Sequence, residues 1–199
     1  RLIRLGLRQL GFDVIRMKNN PLHTLLGLKS KSIGTIIDVG ANTGQFARRV
    51  SDFFPDARIY CFEPLPGPFV LLSAWAETRE GRVSPHNVCV GDKEDELEMY
   101  FHEDHSPSSS LLVSTRLNEE YYPFTKRQRR ILVKQKTLDG VLGEIHAVLA
   151  PEVLIKLDVQ GYEKHVLAGG PKAFARASAC IVEVNLDVLY EGQADFREL

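Results

Sequence analysis

Two nearby segments constrain this chain more than anything else in it: Thr35-Ile36-Ile37-Asp38-Val39-Gly40-Ala41-Asn42-Thr43-Gly44-Gln45-Phe46-Ala47 and Ile59-Tyr60-Cys61-Phe62-Glu63-Pro64. Ile36, Ile37 and Val39 form the short apolar run of a parallel strand covered on both faces. Gly40 and Gly44 remove side chains where the backbone must turn and where a ligand can approach closely. Glu63 lies 19 residues beyond Gly44. That spacing suits a carboxylate at the tip of a second strand, accepting hydrogen bonds from ribose hydroxyls in a doubly wound nucleotide fold. The segments therefore point to an adenosine-bearing cofactor. The competing reading is a glycine turn in a Rossmann-like domain without a ligand.

The turn itself discriminates between cofactors. A dinucleotide rests its pyrophosphate on a helix N-terminus, usually through Gly-x-Gly-x-x-Gly. Here Asp38 precedes the first glycine and the pattern is Asp38-x-Gly40-x-x-x-Gly44. A carboxylate there repels a pyrophosphate. It suits S-adenosylmethionine, which has a positive amino group and sulfonium and no phosphate.

A chain of 199 residues, 44% hydrophobic and 26% charged, is long enough for a sizeable core and ordinary for a globular domain. Its net charge of −1 offers no general attraction to nucleic acid or anionic membrane. No apolar run approaches the roughly 20 residues that span a bilayer, and no signal peptide is visible. Cys61, Cys89 and Cys180 each fall in an apolar strand-like run, which reads as three reduced core thiols in a cytoplasmic protein.

The βα alternation continues along the chain. Residues 1–33 read as a helical leader, with Arg1, Arg4 and Arg8 on one face of a basic amphipathic helix; it either packs on the domain or meets a membrane or partner. Residues 34–199 read as the main domain. Strands are expected over about 35–39, 58–62, 83–90, 153–158 and 179–184, with helices over about 44–53 and 67–79. Pro66 starts the second of these helices, and Thr137 caps a later one. Asp38, Glu63 and Asp92 stand at strand C-terminal ends, where open α/β sheets collect ligands. Residues 93–136 break the pattern as a hairpin-like excursion of the kind that forms lids. In it, His102 and His105 read as a solvated loop tip or as metal ligands. The run Lys126–Arg130 reads as a solvated face, or as an attraction for an acidic sugar.

With these residues in view, the sequence resembles the FkbM family of S-adenosylmethionine-dependent methyltransferases. The resemblance rests on Ile37–Gly44, Phe62-Glu63-Pro64, Gly91-Asp92, Ser109-Ser110-Leu111, Thr137-Leu138-Asp139 and Ile155–Glu163. Gln160 departs from the family's usual Glu. The resemblance implies a Rossmann-like class I α/β fold: a doubly wound, mainly parallel sheet with helices on both faces. The chain ends soon after the fifth strand, so the C-terminal antiparallel strands of that fold are expected to be absent. It further implies O-methylation of a hydroxyl on a carbohydrate or secondary metabolite, with a small-molecule or glycan acceptor. Carried over residue by residue, Asp38, Gly40, Asn42 and Gly44 would shape the methionine end of the cofactor pocket. Glu63 would hold the ribose, Pro64 would turn the chain away from it, and Asp92 would lie near the adenine. Ser109 and Ser110 would bound the active site.

The acid-base chemistry is expected at the tip of the fourth strand. Lys156 and Asp158 are two apart and project to the same side. Asp158 is the first choice for base or substrate-orienting group, and Lys156 for orienting the nucleophile or balancing charge. The competing reading is a mutual ion pair bracing the strand end. Glu163 would bond a sugar hydroxyl or cap its helix. A divalent ion on Asp158, Glu183 and a loop acid is a further possibility, but no third ligand is in view and no metal is assigned. Two other functions stay open: a catalytically silent S-adenosylmethionine-binding or interaction protein, and an NAD-dependent oxidoreductase, which the absent Gly-x-Gly-x-x-Gly disfavours. A nucleic-acid substrate is not expected, and the oligomeric state is not legible.

Overall fold

The computed structural model describes residues 31–199 together with Leu25 and Leu28. The basic helix expected at the start of the chain lies outside the described residues. The chain divides into two compact units, Arg1–Lys31 and Ser32–Leu199. The second holds the strands and helices that follow.

Its centre is a five-stranded, all-parallel sheet. In chain order the strands are β1 (Thr35–Val39), β2 (Arg58–Phe62), β3 (Val83–His86), β4 (Cys89–Gly91), β5 (Asp95–His102), β6 (Gln128–Thr137), β7 (Val153–Leu157) and β8 (Ala177–Val182). The main sheet runs β3-β2-β1-β7-β8. Every residue of β1 and β7 is buried, as a strand covered on both faces requires. The helices are α1 (Gln45–Phe53), α2 (Pro66–Glu77), α3 (Arg116–Tyr121), α4 (Leu138–Glu144), α5 (Glu163–Ala168) and α6 (Pro171–Phe174). One face of the sheet buries Ile37, Val39, Tyr60, Phe62, Ile155 and Leu157 against Leu138 and Val141 of α4 and Val166 of α5. The alternate residues Ile36, Ile59 and Leu154 are fully buried on the other face. Pro66 opens α2, and the Thr137 hydroxyl accepts from Gly140 N–H at 3.1 Å to cap α4, both as expected.

The expected third strand is in fact two. It breaks at Asn87, whose side-chain amide donates to the carbonyls of Glu63 and Pro64 at 2.8 and 3.0 Å and turns the chain. β3 stays in the main sheet, while β4 joins a second sheet of order β4-β6-β5. In that sheet β5 and β6 form the anticipated hairpin, antiparallel from Asp95 opposite Gln135 to His102 opposite Gln128. The connection between them holds α3, and its start is fastened to the last segment of the chain. Thr115 N–H donates to Leu189 O at 2.9 Å, and Glu191 N–H to Val113 O at 2.8 Å.

Two sequence expectations change here, and a third has its first reading upheld. Cys180 is exposed rather than a core thiol, because β8 is the sheet's edge and alternates in burial; Cys61 and Cys89 are buried. His102 is fully buried rather than part of a solvated tip, because it ends β5 beneath the connection; His105 is more open and bonds Ser108. The three arginines of the basic run are paired across the hairpin. Arg127 pairs with Glu103 and Asp104, Arg129 with Glu103, and Arg130 with Glu98. The run is a solvated face, the first of its two readings. Among the described residues no helix is long and apolar enough to cross a membrane.

Candidate active site

A cavity of about 390 Å³ opens at the C-terminal ends of β1, β2, β4 and β7 and is roofed by the excursion. This is where a parallel α/β sheet leaves a crevice, because the loops after neighbouring strands turn to opposite faces. Gly40 to Asn42 form one wall, Glu63 to Leu65 the second, and Val88 to Val90 the third. Lys156 and Asp158 to Gln160 close the end, while Met99, Ser109 and Leu111 cover it from the excursion.

Glu63 is buried at the tip of β2, with one oxygen accepting from Asn42 N–H at 2.7 Å and the other from Leu65 N–H at 2.8 Å. Each oxygen keeps a lone pair for a further donor. Burial raises its carboxyl to about 7, against the pull of those two N–H groups. Asn42 has a left-handed backbone (φ 48°), and its side-chain amide donates to the Ser106 hydroxyl at 3.1 Å, tying the glycine turn to the excursion.

The two glycines serve the protein's own packing. At Gly40 (φ +75°) a Cβ would meet the Asp158 carbonyl oxygen at 1.9 Å, so glycine lets the ends of β1 and β7 close on each other. At Gly44 (φ +84°) a Cβ would meet Leu72 of α2 at 2.9 Å. Gly44 does not line the cavity; Gly40 lines it only through its backbone.

Lys156 organises the cavity's end. Its ammonium lies 3.2 Å from Asp38 Oδ1 and 3.3 Å from Asp158 Oδ2, and donates to Gly40 O at 3.0 Å. Only the Gly40 contact has hydrogen-bond geometry; the two carboxylate contacts are ion pairs, so the ammonium is already engaged inside the protein. Burial alone would depress this ammonium, but the two carboxylates outweigh it and hold its pKa above the usual lysine value. Asp38 is fully buried behind the cavity wall, and burial raises its carboxyl despite Lys156. The ion-pair reading of Lys156 and Asp158 therefore holds in geometry, with Asp38 as an added partner. β1 and β7 are neighbours with Asp38 opposite Lys156.

Asp158 is in contact with Glu183 just after β8. Burial opposes its charge, yet the hydrogen bond to Glu183, the Lys156 ammonium and the Gln160 amide hold its carboxyl below the ordinary range. The same hydrogen bond, with burial, raises Glu183 to about 8. The contact thus favours the ionised form at Asp158 and the protonated form at Glu183. Gln160 (φ 54°) donates to both carboxylates, and its own carbonyl accepts from the Ser110 hydroxyl at 2.7 Å. The Tyr190 hydroxyl sits 2.9 Å from both Gln160 Oε1 and Ser108 O.

The expected site residues thus divide. Gly40, Asn42, Glu63, Pro64, Ser109, Lys156 and Asp158 line one cavity, and Asp38 stands behind it. Asp92 is not among the lining residues. The break at Asn87 moves it into the second sheet, where it pairs with His165 at 2.8 Å. Glu163 is buried and accepts from Val159 N–H at 3.0 Å, closing the loop before α5, and Ser110 latches Gln160; neither lines the cavity. Among the described residues no cluster of three His, Cys, Asp or Glu side chains could hold a metal. Sequence reasoning did not single out Arg49 and Phe46 on the cavity side of α1, or Tyr190. The helical spacing of Phe46 and Arg49 after Gly44 was the available signal for the first two; nothing local marked Tyr190.

A family model described as "Methyltransferase FkbM domain" matches residues 38–199. The chain belongs to the FkbM methyltransferase family. This membership goes against the oxidoreductase alternative. Among curated relatives, the 2-O-methyltransferase NoeI of Sinorhizobium fredii is 29% identical over 187 residues, 88% of this chain and 73% of that protein. The 31-O-demethyl-FK506 methyltransferase FkbM of Streptomyces tacrolimicus is 28% identical over 182 residues, 80% of this chain and 68% of that protein. The crystal structure of methyltransferase FkbM from Methylobacillus flagellatus KT shares the fold, with a TM-score of 0.54 at 14% identity. That likeness covers 85% of this chain and 37% of the solved one.

Proposed function

We propose that this FkbM methyltransferase uses S-adenosylmethionine to methylate a hydroxyl on a carbohydrate or secondary metabolite. The observation that carries the reading is Glu63, a buried carboxylate held by two backbone N–H groups at the edge of a mostly apolar cavity. It is ready to accept from a pair of ribose hydroxyls. The residues around it fit the rest of the cofactor. Val88, Val90, Leu65 and Leu111 offer an apolar slot for a base. Asp38, Lys156 and Asp158 together carry a net negative charge suited to a sulfonium and an ammonium. Arg49 lines the cavity and forms no ion pair with any described residue, so it is available to a carboxylate. A pyrophosphate would instead meet Glu63 and the Asp38 group.

When bound, S-adenosylmethionine would supply a sulfonium methyl group for an acceptor hydroxyl, leaving as S-adenosylhomocysteine, with the hydroxyl's proton passing to Asp158. Asp158 faces the cavity end as an ionised acceptor, so it orients the acceptor hydroxyl and receives its hydrogen bond. Lys156, already engaged by Asp38, Asp158 and Gly40, fixes Asp158 and balances its charge. Both curated relatives carry O-methyltransferase names, which supports oxygen as the nucleophile.

Thermal unfolding with S-adenosylmethionine, S-adenosylhomocysteine and NAD tests the reading. A ligand at about 100 times its dissociation constant adds about 2.7 kcal/mol. Stabilisation by the adenosyl pair alone, lost in Glu63→Ala, is expected, followed by transfer of labelled methyl to a hydroxylated acceptor. Absence of stabilisation by either adenosyl ligand sinks the cofactor assignment. Binding without transfer to any acceptor supports the catalytically silent alternative.

A further inference from the structure

A second recess of about 250 Å³ lies on the far side of Asp158 and Gln160, which line both it and the main cavity. We propose that this recess is the acceptor subsite and that it takes a single uncharged pyranose ring, stacked on Phe124 and Tyr122 with its hydroxyls on Asp158, Glu183 and Asn185. This rests on the main cavity's being the cofactor's.

Part of the recess's lining is aromatic. The His105 and Phe124 rings lie 4.7 Å apart and the Tyr122 and Phe124 rings 5.7 Å apart. Tyr122 and Phe124 are 44% and 36% exposed, so ring surface stays open to a ligand. Much of the remaining lining is polar: Gln160 donates to Asp158 and Glu183, and Asn118 and Asn185 line the same recess. Aromatic surface together with closely spaced acceptors and donors matches a sugar ring, whose C–H face is apolar and whose hydroxyls project from its edge. A flat hydrocarbon would find no use for the polar part of the lining.

Size and charge narrow the ligand further. The recess is smaller than the roughly 300–1,000 Å³ of pockets that hold drug-sized molecules, so it holds about one ring. No Lys or Arg lines it, while Asp158 and Glu183 do. The nearby Arg127, Arg129 and Arg130 are already paired with Glu98, Glu103 and Asp104. A uronic acid would thus bring a carboxylate against two acids with no cation to meet it.

Saturation-transfer NMR on the full chain tests this, using the methyl glycosides of glucose, galactose and fucose, methyl glucuronide, and catechol as a flat aromatic diol. Each probe is added with and without S-adenosylhomocysteine. The expected result is binding of at least one neutral glycoside, about tenfold weaker binding of the glucuronide, and about tenfold loss in Phe124→Ala. Phe124→Leu, which keeps bulk but not the ring face, falls between, and Tyr122→Ala is read instead if Phe124→Ala does not fold. The melting shift from S-adenosylhomocysteine stays unchanged in these variants. The proposal is overturned if no neutral glycoside binds, if the glucuronide binds as well as they do, if catechol alone binds, or if the aromatic variants bind as wild type. Failure of S-adenosylhomocysteine to bind at all overturns the cofactor reading, whereas glycoside contact judges the recess by itself.

Discussion

Replacing Lys156 with Met should expose how the cavity's end is held together. In the native chain its ammonium lies 3.2 Å from Asp38 and 3.3 Å from Asp158. At an effective dielectric constant near 20, each contact is worth roughly 5 kcal/mol before desolvation is charged against it. Asp158 is partly open to solvent and has Gln160 and Glu183 as other partners, so it loses little. Asp38 is fully buried, and its carboxylate oxygens have no hydrogen-bond partner apart from that contact with Lys156. Removing one member of a buried pair in this way costs about 3–5 kcal/mol. For a chain of this size that is about 6–20 °C in melting temperature. Urea unfolding followed by the fluorescence of Trp75, the sole tryptophan, measures it directly. Adding Asp38→Asn to Lys156→Met removes the stranded charge and should recover about 1–3 kcal/mol. The pH dependence has a definite sign. Without Lys156, the native pKa of Asp38 rises further above its unfolded value near 3.9, so the native state binds the extra proton. Stability then falls as pH rises above about 4, by up to about 1.4 kcal/mol per unit, until the native pKa is passed. A loss under about 1 kcal/mol for Lys156→Met, or a further loss on adding Asp38→Asn, would refute the buried-pair argument.

Glu63 makes a related prediction: its native carboxyl is raised to about 7 from 4.5, so its contribution to stability drops by about 3 kcal/mol as pH rises through that window. Glu63→Gln should flatten the stability difference between pH 5 and pH 8, and abolish most cofactor stabilisation, both read by thermal unfolding. Gly40→Ala should cost more than about 3 kcal/mol, because it adds strain at positive φ to a collision with the Asp158 carbonyl. Gly81→Ala, at φ +76° with open space around it, should cost only about 1 kcal/mol in the same assay. Tyr190→Phe should lose about 1–2 kcal/mol and raise amide exchange around Ser108, while leaving cofactor binding intact. A thiol reagent should modify Cys180 first in the native protein, and all three cysteines only after unfolding.

The local signals in the sequence were strong where local physics decides. An unbroken apolar run made β1 and β7 legible, alternation marked β5 and β6, and Pro66 and Thr137 announced helix starts. Glu63 was legible because its distance from the glycine turn is set by one helix and one strand, whose lengths vary little. The same strands explain the misreadings. Apolar content alone could not show that Asn87 would spend its amide on two carbonyls and send β4 into another sheet, taking Asp92 with it. Nor could it show that β8 would be an edge, which leaves Cys180 exposed.

What the sequence by itself determined about this protein is its βα order, its fold class and the acid at the tip of β2, since each follows from the spacing of apolar, glycine and charged residues along one stretch of chain. Only the tertiary structure decided that Asp38, 118 residues before Lys156 along the chain, is its ion-pair partner, that Gly40 makes room for a protein carbonyl, and that Tyr190 fastens Gln160. These contacts join strands and loops far apart in sequence, and their energies depend on burial and on distances of a few ångströms. No pattern within a single segment encodes them.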